Sequence, residues 1–194
     1  DQVERVSGTV SPMIAAGRYV KAQDPEAKVI FVGPCTAKKN EALRENLKDA
    51  VDYVLTFEEI AALMDAFKVN PENCTPVEID DASIFGRGFG AGGGLTAAIQ
   101  DYIKGSNLSI EFKPVKVSGA EEIKRTMTLA KVNRLDGNFI EGMMCEGGCI
   151  NGAATITPAF RAKGAFVKNN ATATRKAVLD NEKIEAFKNI KLER

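Results

Sequence analysis

Two cysteines close the stretch Glu141-Gly-Met-Met-Cys145-Glu-Gly-Gly-Cys149, where they lie four residues apart with two glycines between them. A β-compatible run over residues 137–144 leads into the pair, so the cysteines follow the end of a predicted strand. Cysteine thiolates suit soft metals, above all iron–sulfur clusters, and glycines let backbone N–H groups approach a cluster sulfide. A C-x3-C pair is equally compatible with two buried structural thiols, and this stretch alone leaves both interpretations open.

A third cysteine also follows a predicted strand. Residues 29–32, Val-Ile-Phe-Val, form a short apolar run, and Gly33-Pro-Cys35-Thr-Ala-Lys38-Lys-Asn-Glu41 comes directly after it. Loops at the carboxyl ends of strands carry the sites of α/β proteins. Cys35 is therefore a candidate ligand, and Lys38 and Glu41 are candidate polar groups beside it.

Composition narrows the class of protein. The chain has 194 residues, 44% of them apolar, with a formal net charge of zero, which suffices for one well-buried domain over residues 1–194. The balanced charge gives no sign of nucleic-acid binding, and no apolar run reaches membrane-spanning length. The sequence has no histidine, which excludes Ser-His and Cys-His catalysis and histidine-ligated zinc within this chain. Four cysteines do not resemble a secreted disulfide framework, so we expect a cytoplasmic protein.

Predicted strands and helices alternate along the chain, which is typical of an α/β fold with a mixed or mostly parallel sheet flanked by helices. The predicted strands are residues 28–32, 51–55, 112–117 and 139–144. The predicted helices are residues 11–23, 38–48, 95–104, 120–132, 172–180 and 182–191, with a further helix that begins at a capping box at Thr56. Residues 69–83 are predicted to form a loop. The side chains expected to face the core from two of these helices are Leu43 and Leu47, and Ile60, Leu63, Met64 and Phe67.

Three motifs, in this order, resemble those of the iron-only (FeFe) hydrogenases. The run at Cys35 resembles P-C-x-x-K-x-x-E, and the run at Cys145 resembles E-x-M-x-C-x-x-G-C-x-x-G. Between them, the glycine-rich residues 85–95 resemble F-G-x-x-G-G-V, although a phosphate-cradling loop is an alternative for this segment. The resemblance covers most of residues 11–160. It implies a C-terminal part of the two-lobed catalytic domain of that family.

The resemblance also implies a cofactor and its ligands. The family's H-cluster joins a 4Fe–4S cubane to a two-iron subcluster with CO, cyanide and dithiolate ligands. Cys35, Cys145 and Cys149 match three of the four cubane cysteines, and Cys149 matches the one that bridges to the two-iron unit. The remaining matches are to a lysine that donates to cyanide, an acid beside it and a methionine packed on the two-iron unit: Lys38, Glu41 and Met143. Each also has a plain interpretation, as a surface i,i+3 pair and as core filling.

Departures from the family pattern bear on partners and subtype. The motif that supplies the fourth ligand and a relay cysteine, and the ferredoxin-type cluster domains, would lie upstream of this sequence. We therefore expect partnership with that missing N-terminal part and with ferredoxin or another redox protein. Alone, the chain should be inactive and should lack the two-iron unit. Gly33 stands where prototypic enzymes have methionine, residues 152–155 replace G-G-G-Q, and the run at Arg87 resembles the sensory branch.

Three functions follow from the resemblance. The first is reversible reduction of protons to hydrogen, and the second is hydrogen or redox sensing that signals to an output domain. The third is an iron–sulfur scaffold role. A zinc site made by the three motif cysteines and Cys74 is a further alternative; Cys74 matches no family motif and is otherwise expected to be an incidental thiol.

Overall fold

The computed structural model describes residues 2–194, which group into two compact units. The first unit comprises Val6–Val77, Ala153–Ile156 and Lys183–Arg194. The second unit comprises Glu78–Gly152 and Thr157–Glu182, together with the N-terminal residues up to Arg5. The expectation of a single domain over the whole chain stays a prediction, and each unit is described by itself.

The first unit is built on two short parallel strands. Its elements are α1 (Pro12–Gln23), β1 (Ile30–Val32), α2 (Ala37–Ala42), β2 (Tyr53–Leu55) and α3 (Phe57–Ala66), with a 3-10 turn at Pro71–Asn73. Ile30 of β1 lies opposite Tyr53 of β2 in parallel register. A parallel pair needs a crossover connection, and α2 lies in it. Helix α1, predicted over residues 11–23, begins at Pro12, and the predicted capping box at Thr56 starts α3.

The core of the first unit lies under α1. Ile14 is fully buried and packs with the buried residues Met13, Leu47 and Val51. At Gly17 the helix lies directly on neighbouring backbone, since an added Cβ would fall 2.3 Å from a carbonyl oxygen. Burial of each large apolar side chain contributes about 1.5–3 kcal/mol. This small core is what fixes the positions of α1 and the segment before β2.

A buried arginine holds the end of the chain against α1. The Arg18 guanidinium donates to the carbonyl oxygens of Lys191 at 2.7 Å, Glu193 at 3.1 Å and Asn46 at 3.2 Å. It also pairs with the Asp49 carboxylate at 3.3 Å. One side chain therefore joins α1, the segment after α2 and the C-terminal residues of the first unit.

The second unit repeats the parallel arrangement. Its elements are α4 (Ile84–Gly88), α5 (Gly94–Gly105), β3 (Pro114–Ser118), α6 (Ala120–Lys131), β4 (Phe139–Met143) and α7 (Ala159–Ala171), with 3-10 turns at Cys149–Asn151 and Val178–Asp180. A 3-10 segment, Glu182–Asn189, runs from this unit into the first. Strands β3 and β4 are parallel, with Lys116 opposite Glu141, and α6 lies in the connection between them. The predicted α/β class with parallel strands is confirmed. No helix within residues 2–194 has both the length and the apolar character needed to span a membrane.

Several predicted helical features are wrong. Helix α2 ends at Ala42, so Leu43 is 77% exposed while Leu47 is 2% exposed. The chain turns after Ala42, and two residues four apart share a face only while the helix continues. On α3, Leu63 and Phe67 are exposed instead of in the core. Apolar periodicity identifies a face of a helix, but it cannot supply the element that must cover that face.

The C-terminal region also differs from expectation. Helix α7, Ala159–Ala171, was not predicted, and the predicted helices at 172–180 and 182–191 are instead 3-10 turns in part. Pro158 precedes the first turn of α7, where a fixed φ favours helix initiation. The sequence of α7 has a weak apolar pattern interrupted by lysines, which hid the helix.

Candidate metal centre

The cysteine pair lies on the loop that follows β4. Strand β4 ends at Met143, and the Gly119 N–H donates to the Met143 carbonyl at 2.8 Å, so the strand end is held by the start of α6. Cys145 and Cys149 are partly exposed thiols, and the Gly148 N–H donates to the Cys145 carbonyl at 3.0 Å. The predicted ligands therefore sit on a tight turn at the carboxyl end of a parallel strand.

The glycine-rich segment packs its backbone against this loop. The Gly92 N–H donates to the Gly147 carbonyl at 3.0 Å, and the Ile150 N–H donates to the Gly90 carbonyl at 3.0 Å. Gly148 has a φ of +102°, and an added Cβ would lie 2.5 Å from the Gly92 nitrogen. Only glycine fits there, because any other residue would be strained and would collide with backbone. This close approach packs the backbone of the cysteine loop directly against the backbone of the glycine-rich segment.

A buried carboxylate joins the same two segments, and sequence reasoning missed it. Glu141 on β4 is 3% exposed. Its Oε1 accepts the Gly93 N–H and its Oε2 accepts the Thr96 N–H, both at 2.8 Å. The available signal was a charged residue in a predicted strand, two positions from Met143 and therefore on the same face. Acidic side chains are almost never buried without partners, so this position had to be either exposed or specifically bonded.

The third cysteine lies in the first unit, on the loop after β1. The Gly33 N–H continues the strand pairing by donating to the Leu55 carbonyl at 3.0 Å. The Pro34 carbonyl accepts the Ala154 N–H at 3.1 Å, and the Cys35 carbonyl accepts the Lys38 N–H at 3.3 Å. Cys35 is partly exposed just before the first turn of α2. The predicted strand–loop–helix setting of this cysteine is thus present.

Lys38 and Glu41 form an ion pair on α2. The ammonium donates to the Glu41 Oε2, and the two side chains are 26% and 19% exposed. Partial burial acts to raise the pKa of Glu41, but the hydrogen bond from Lys38 and the nearby positive charge lower it below its ordinary value. The charged form of Glu41 is therefore favoured, and the pair is largely covered, unlike a freely solvated surface pair.

The predicted site residues fall into two sets. Met143, Cys145 and Cys149 belong to the second unit, while Cys35, Lys38 and Glu41 belong to the first. Cys74 lies in the first unit, where its exposed thiol donates to the Asn70 carbonyl at 3.6 Å. Within the part of the chain that the structure describes, no three or more His, Cys, Asp or Glu side chains are grouped to hold a metal ion. The assignment of ligands stays a prediction.

The donor chemistry can be tested against an iron–sulfur cluster. None of the four cysteines is in a disulfide within residues 2–194, and the three that belong to motifs follow the ends of parallel strands. Thiolates are the ligands that iron–sulfur clusters require, and a 4Fe–4S cubane takes four of them. Each of the three motif cysteines therefore has the donor type and the setting of a cubane ligand.

Comparisons with known proteins agree on one family. The model for the C-terminal domain of the iron-only hydrogenase large subunit matches residues 1–153. Iron hydrogenase 1 of Clostridium pasteurianum is 30% identical over 193 aligned residues, which cover 77% of this chain and 33% of the relative. The chain thus spans about a third of the length of that curated relative.

Solved structures share the fold. A structure from a study of FeFe-hydrogenase oxygen inactivation superposes with a TM-score of 0.71 at 19% identity, covering 99% of this chain and 66% of that one. A variant of the FeFe-hydrogenase HydA1 from Chlamydomonas reinhardtii gives 0.70 at 18% identity, covering 95% and 66%. At such identities the likeness establishes the fold alone.

Proposed function

The chain belongs to the family of the iron-only hydrogenase large subunit, C-terminal domain, and we propose that it is part of an enzyme that interconverts protons and molecular hydrogen. The observation that carries this proposal is the loop after β4. There, two thiols lie on a turn whose backbone is packed against a glycine-rich segment and where a Cβ would collide. Thiolates held on a tight turn at the carboxyl end of a parallel strand have the ligand type and the setting that suit an iron–sulfur cluster.

The proposal gives each site residue a task. Cys35, Cys145 and Cys149 would ligate a 4Fe–4S cubane, with the fourth thiolate from another part of a longer protein. Bound there, the H-cluster would supply the electron storage and hydrogen chemistry. Lys38 would donate to an anionic ligand of the two-iron subcluster, and Glu41 keeps the Lys38 side chain oriented through their ion pair. Electrons would come from ferredoxin or ferredoxin-type clusters.

Met143 would present its thioether to the two-iron subcluster. It is the last residue of β4, and its carbonyl is fixed by the Gly119 N–H. The side chain is partly exposed instead of packed in a core, which favours a contact role over simple filling. A soft, polarisable thioether suits the apolar wall of such a pocket.

Hydrogen sensing is the second candidate, and Gly33 favours it. An added Cβ at Gly33 would lie 2.8 Å from the Phe31 ring, so a methionine at this position would require the ring to move. The chain therefore lacks the thioether found before Pro-Cys in prototypic enzymes, and the ring of Phe31 fills the adjacent space. A pocket altered in this way is suited to slow or retuned turnover, which a sensor tolerates.

The test is infrared spectroscopy of the full-length protein. The protein would be loaded anaerobically with cubane iron, given the two-iron precursor, and measured under hydrogen and then argon. We expect CO and cyanide bands that shift between the two gases, and the turnover rate of the same sample separates an enzyme from a sensor. A cubane signal without such bands would overturn both functions and leave a scaffold role.

Cysteine variants test the ligands, with a matched control in the same chain. Cys35→Ser and Cys145→Ser should each abolish incorporation of the cubane, because serine replaces a thiolate donor. Cys74→Ser should leave the iron content unchanged, since that thiol is exposed and bonded only to a turn carbonyl. Full iron content in either of the first two variants would refute the ligand assignment. Lys38→Ala should weaken capture of the two-iron subcluster while the cubane remains.

A further inference from the structure

The buried carboxylate of Glu141 caps a helix to which it does not belong. Helix α5 begins after Gly93, which has no side chain to accept the N–H groups of the first turn. Glu141 supplies that cap from β4, by accepting the Gly93 N–H at the N-cap and the Thr96 N–H in the first turn, both at 2.8 Å. The positive end of the helix dipole favours a carboxylate at this place. The same bonds also attach the start of α5 to one position on β4.

That position lies close to the cysteines along the chain. Glu141 and Met143 share one face of β4, since alternate residues of a strand point the same way. Cys145 comes four residues after Glu141. Only a short length of backbone therefore separates the residue that is held by hydrogen bonds, Glu141, from the first thiol.

A second set of bonds returns from α5 to the same loop. Gly92 precedes the helix cap, and its N–H donates to the Gly147 carbonyl between the two cysteines at 3.0 Å. Gly90 accepts the Ile150 N–H just after Cys149, also at 3.0 Å. Covalent bonds and hydrogen bonds together form a closed ring that runs from β4 through the glycine-rich segment and back through the cysteine loop. Glu141 contributes the side chain that closes this ring, and the Ser118 hydroxyl at the end of β3 also holds the cysteine loop by accepting the Gly147 N–H at 3.2 Å.

We propose that Glu141 is a positioning residue that fixes how Cys145 and Cys149 present their thiols. Without its two bonds, the glycine-rich segment is still attached to the cysteine loop but no longer to β4. The loop and the segment can then shift together relative to β4, about the remaining bond from Gly147 to Ser118. How the thiols are presented is a property of the metal-free chain. Only the effect of Glu141 on a bound cluster rests on the proposed function.

The test replaces the carboxylate by its amide. Glu141→Gln keeps the size of the side chain but turns one acceptor into an NH₂ group that faces an N–H. We expect amide exchange at Gly93 or Thr96 to accelerate about tenfold or more, as for loss of a charge-assisted hydrogen bond. Alkylation of Cys145 and Cys149 in the metal-free protein, followed by peptide mass spectrometry, should change in rate by a similar factor. Glu141→Asp keeps the charge but shortens the reach, and it should give a smaller change if the amide variant does not fold.

Asp101→Asn is the matched control. Asp101 lies on the same helix and accepts the Val178 N–H at 2.7 Å, so its loss removes a comparable bond away from the cysteine loop. It should leave the alkylation rates of both cysteines unchanged. Equal rates in the wild type and the Glu141 variants, or the same change in Asp101→Asn, would overturn the inference.

Cluster readouts separate this inference from the proposed function. In cubane-loaded full-length protein, Glu141→Gln should retain iron but shift the g-values and the reduction potential of the cubane. A change in thiol reactivity with no cubane bound in the wild type would support the positioning role and refute the proposed function. A loaded and active wild type, with neither spectrum nor thiol reactivity altered by Glu141→Gln, would refute the positioning role alone.

Discussion

Replacement of Gly148 by alanine tests the packing on which the candidate site depends. Gly148 has φ +102° and ψ −169°, a backbone conformation that is almost confined to glycine. An alanine Cβ would lie 2.5 Å from the Gly92 nitrogen and 2.7 Å from the Gly90 oxygen. Both are backbone atoms, so the collision cannot be relieved by a change of side-chain rotamer. The glycine-rich segment and the cysteine loop must separate.

The cost follows from strain and lost hydrogen bonds. The backbone conformation costs a non-glycine residue about 1–3 kcal/mol. Separation of the segments breaks the bond from Gly92 to Gly147 and the bond from Ile150 to Gly90, at about 1 kcal/mol each. We therefore expect Gly148→Ala to destabilise this region by about 3–5 kcal/mol.

Two other glycines serve as controls. Gly147 has φ +77° but nothing within 4 Å of an added Cβ, so Gly147→Ala should cost about 1–2 kcal/mol from backbone strain alone. Gly88 has an open Cβ position and no positive φ, so Gly88→Ala should stay within about 0.5 kcal/mol.

The assay must report on the second unit, because two compact units can unfold separately. Amide exchange of the β4 residues, measured under native conditions, gives a local free energy of opening. Gly148→Ala should lower it the most of the three variants. If Gly148→Ala lowers this free energy no more than Gly147→Ala does, the close-packing argument is refuted, because backbone strain alone would then account for both losses.

Three further predictions concern the first unit. Arg18→Met should lower the free energy of unfolding by about 2–4 kcal/mol because three carbonyl groups lose their donor; urea unfolding tests this, and an equal loss from the exposed control Lys48→Met would contradict it. In the same assay, Leu47→Ala should lower the free energy of unfolding by about 2–5 kcal/mol and Leu43→Ala by less than about 0.5 kcal/mol. Equal losses would indicate instead that the helix continues past Ala42 and that both leucines face the core. Because the pKa of Glu41 is lowered in the fold, its ion pair stabilises the fold fully at a pH above the ordinary pKa of 4.5. That stabilisation is lost as the pH falls through the lowered pKa. The wild type should therefore exceed Glu41→Gln in stability by about 1 kcal/mol near pH 7, and a difference that persists at about pH 2 would contradict this.

Features that depend on a few neighbouring residues were predictable from the sequence. The start of α1 follows from Pro12 at its first helical position, and the start of α3 follows from the reciprocal bonds of Thr56 and Glu59. The placement of cysteines after strand ends was predictable for the same reason, since a short β-branched run and the glycines after it lie together in sequence. These local signals located both cysteine loops and gave the α/β class.

Features that depend on distant partners were not predictable. Phe67 continues an apolar face of α3, yet it is 77% exposed, because whether that face is covered depends on other parts of the protein. Glu141 bonds to residues 45 and 48 positions away. Its role needed the register of β4 against the start of α5. The sequence contained the residue and its strand, but it could not indicate what the carboxylate would meet.

The supports of the two cysteine loops explain how this fold tolerates divergence. The loop at Cys35 is held through the backbone of Gly33 and Pro34, and the loop at Cys145 through the backbone of Gly90 and Gly92. Bonds between backbone groups survive most side-chain changes, so they constrain the sequence only where a Cβ would intrude or where a side chain itself is the partner. That is consistent with a TM-score of 0.71 at 19% identity. The same argument predicts that substitution should be least tolerated at Gly148, where a Cβ would collide with the glycine-rich segment, and at Glu141, whose carboxylate attaches this segment to β4.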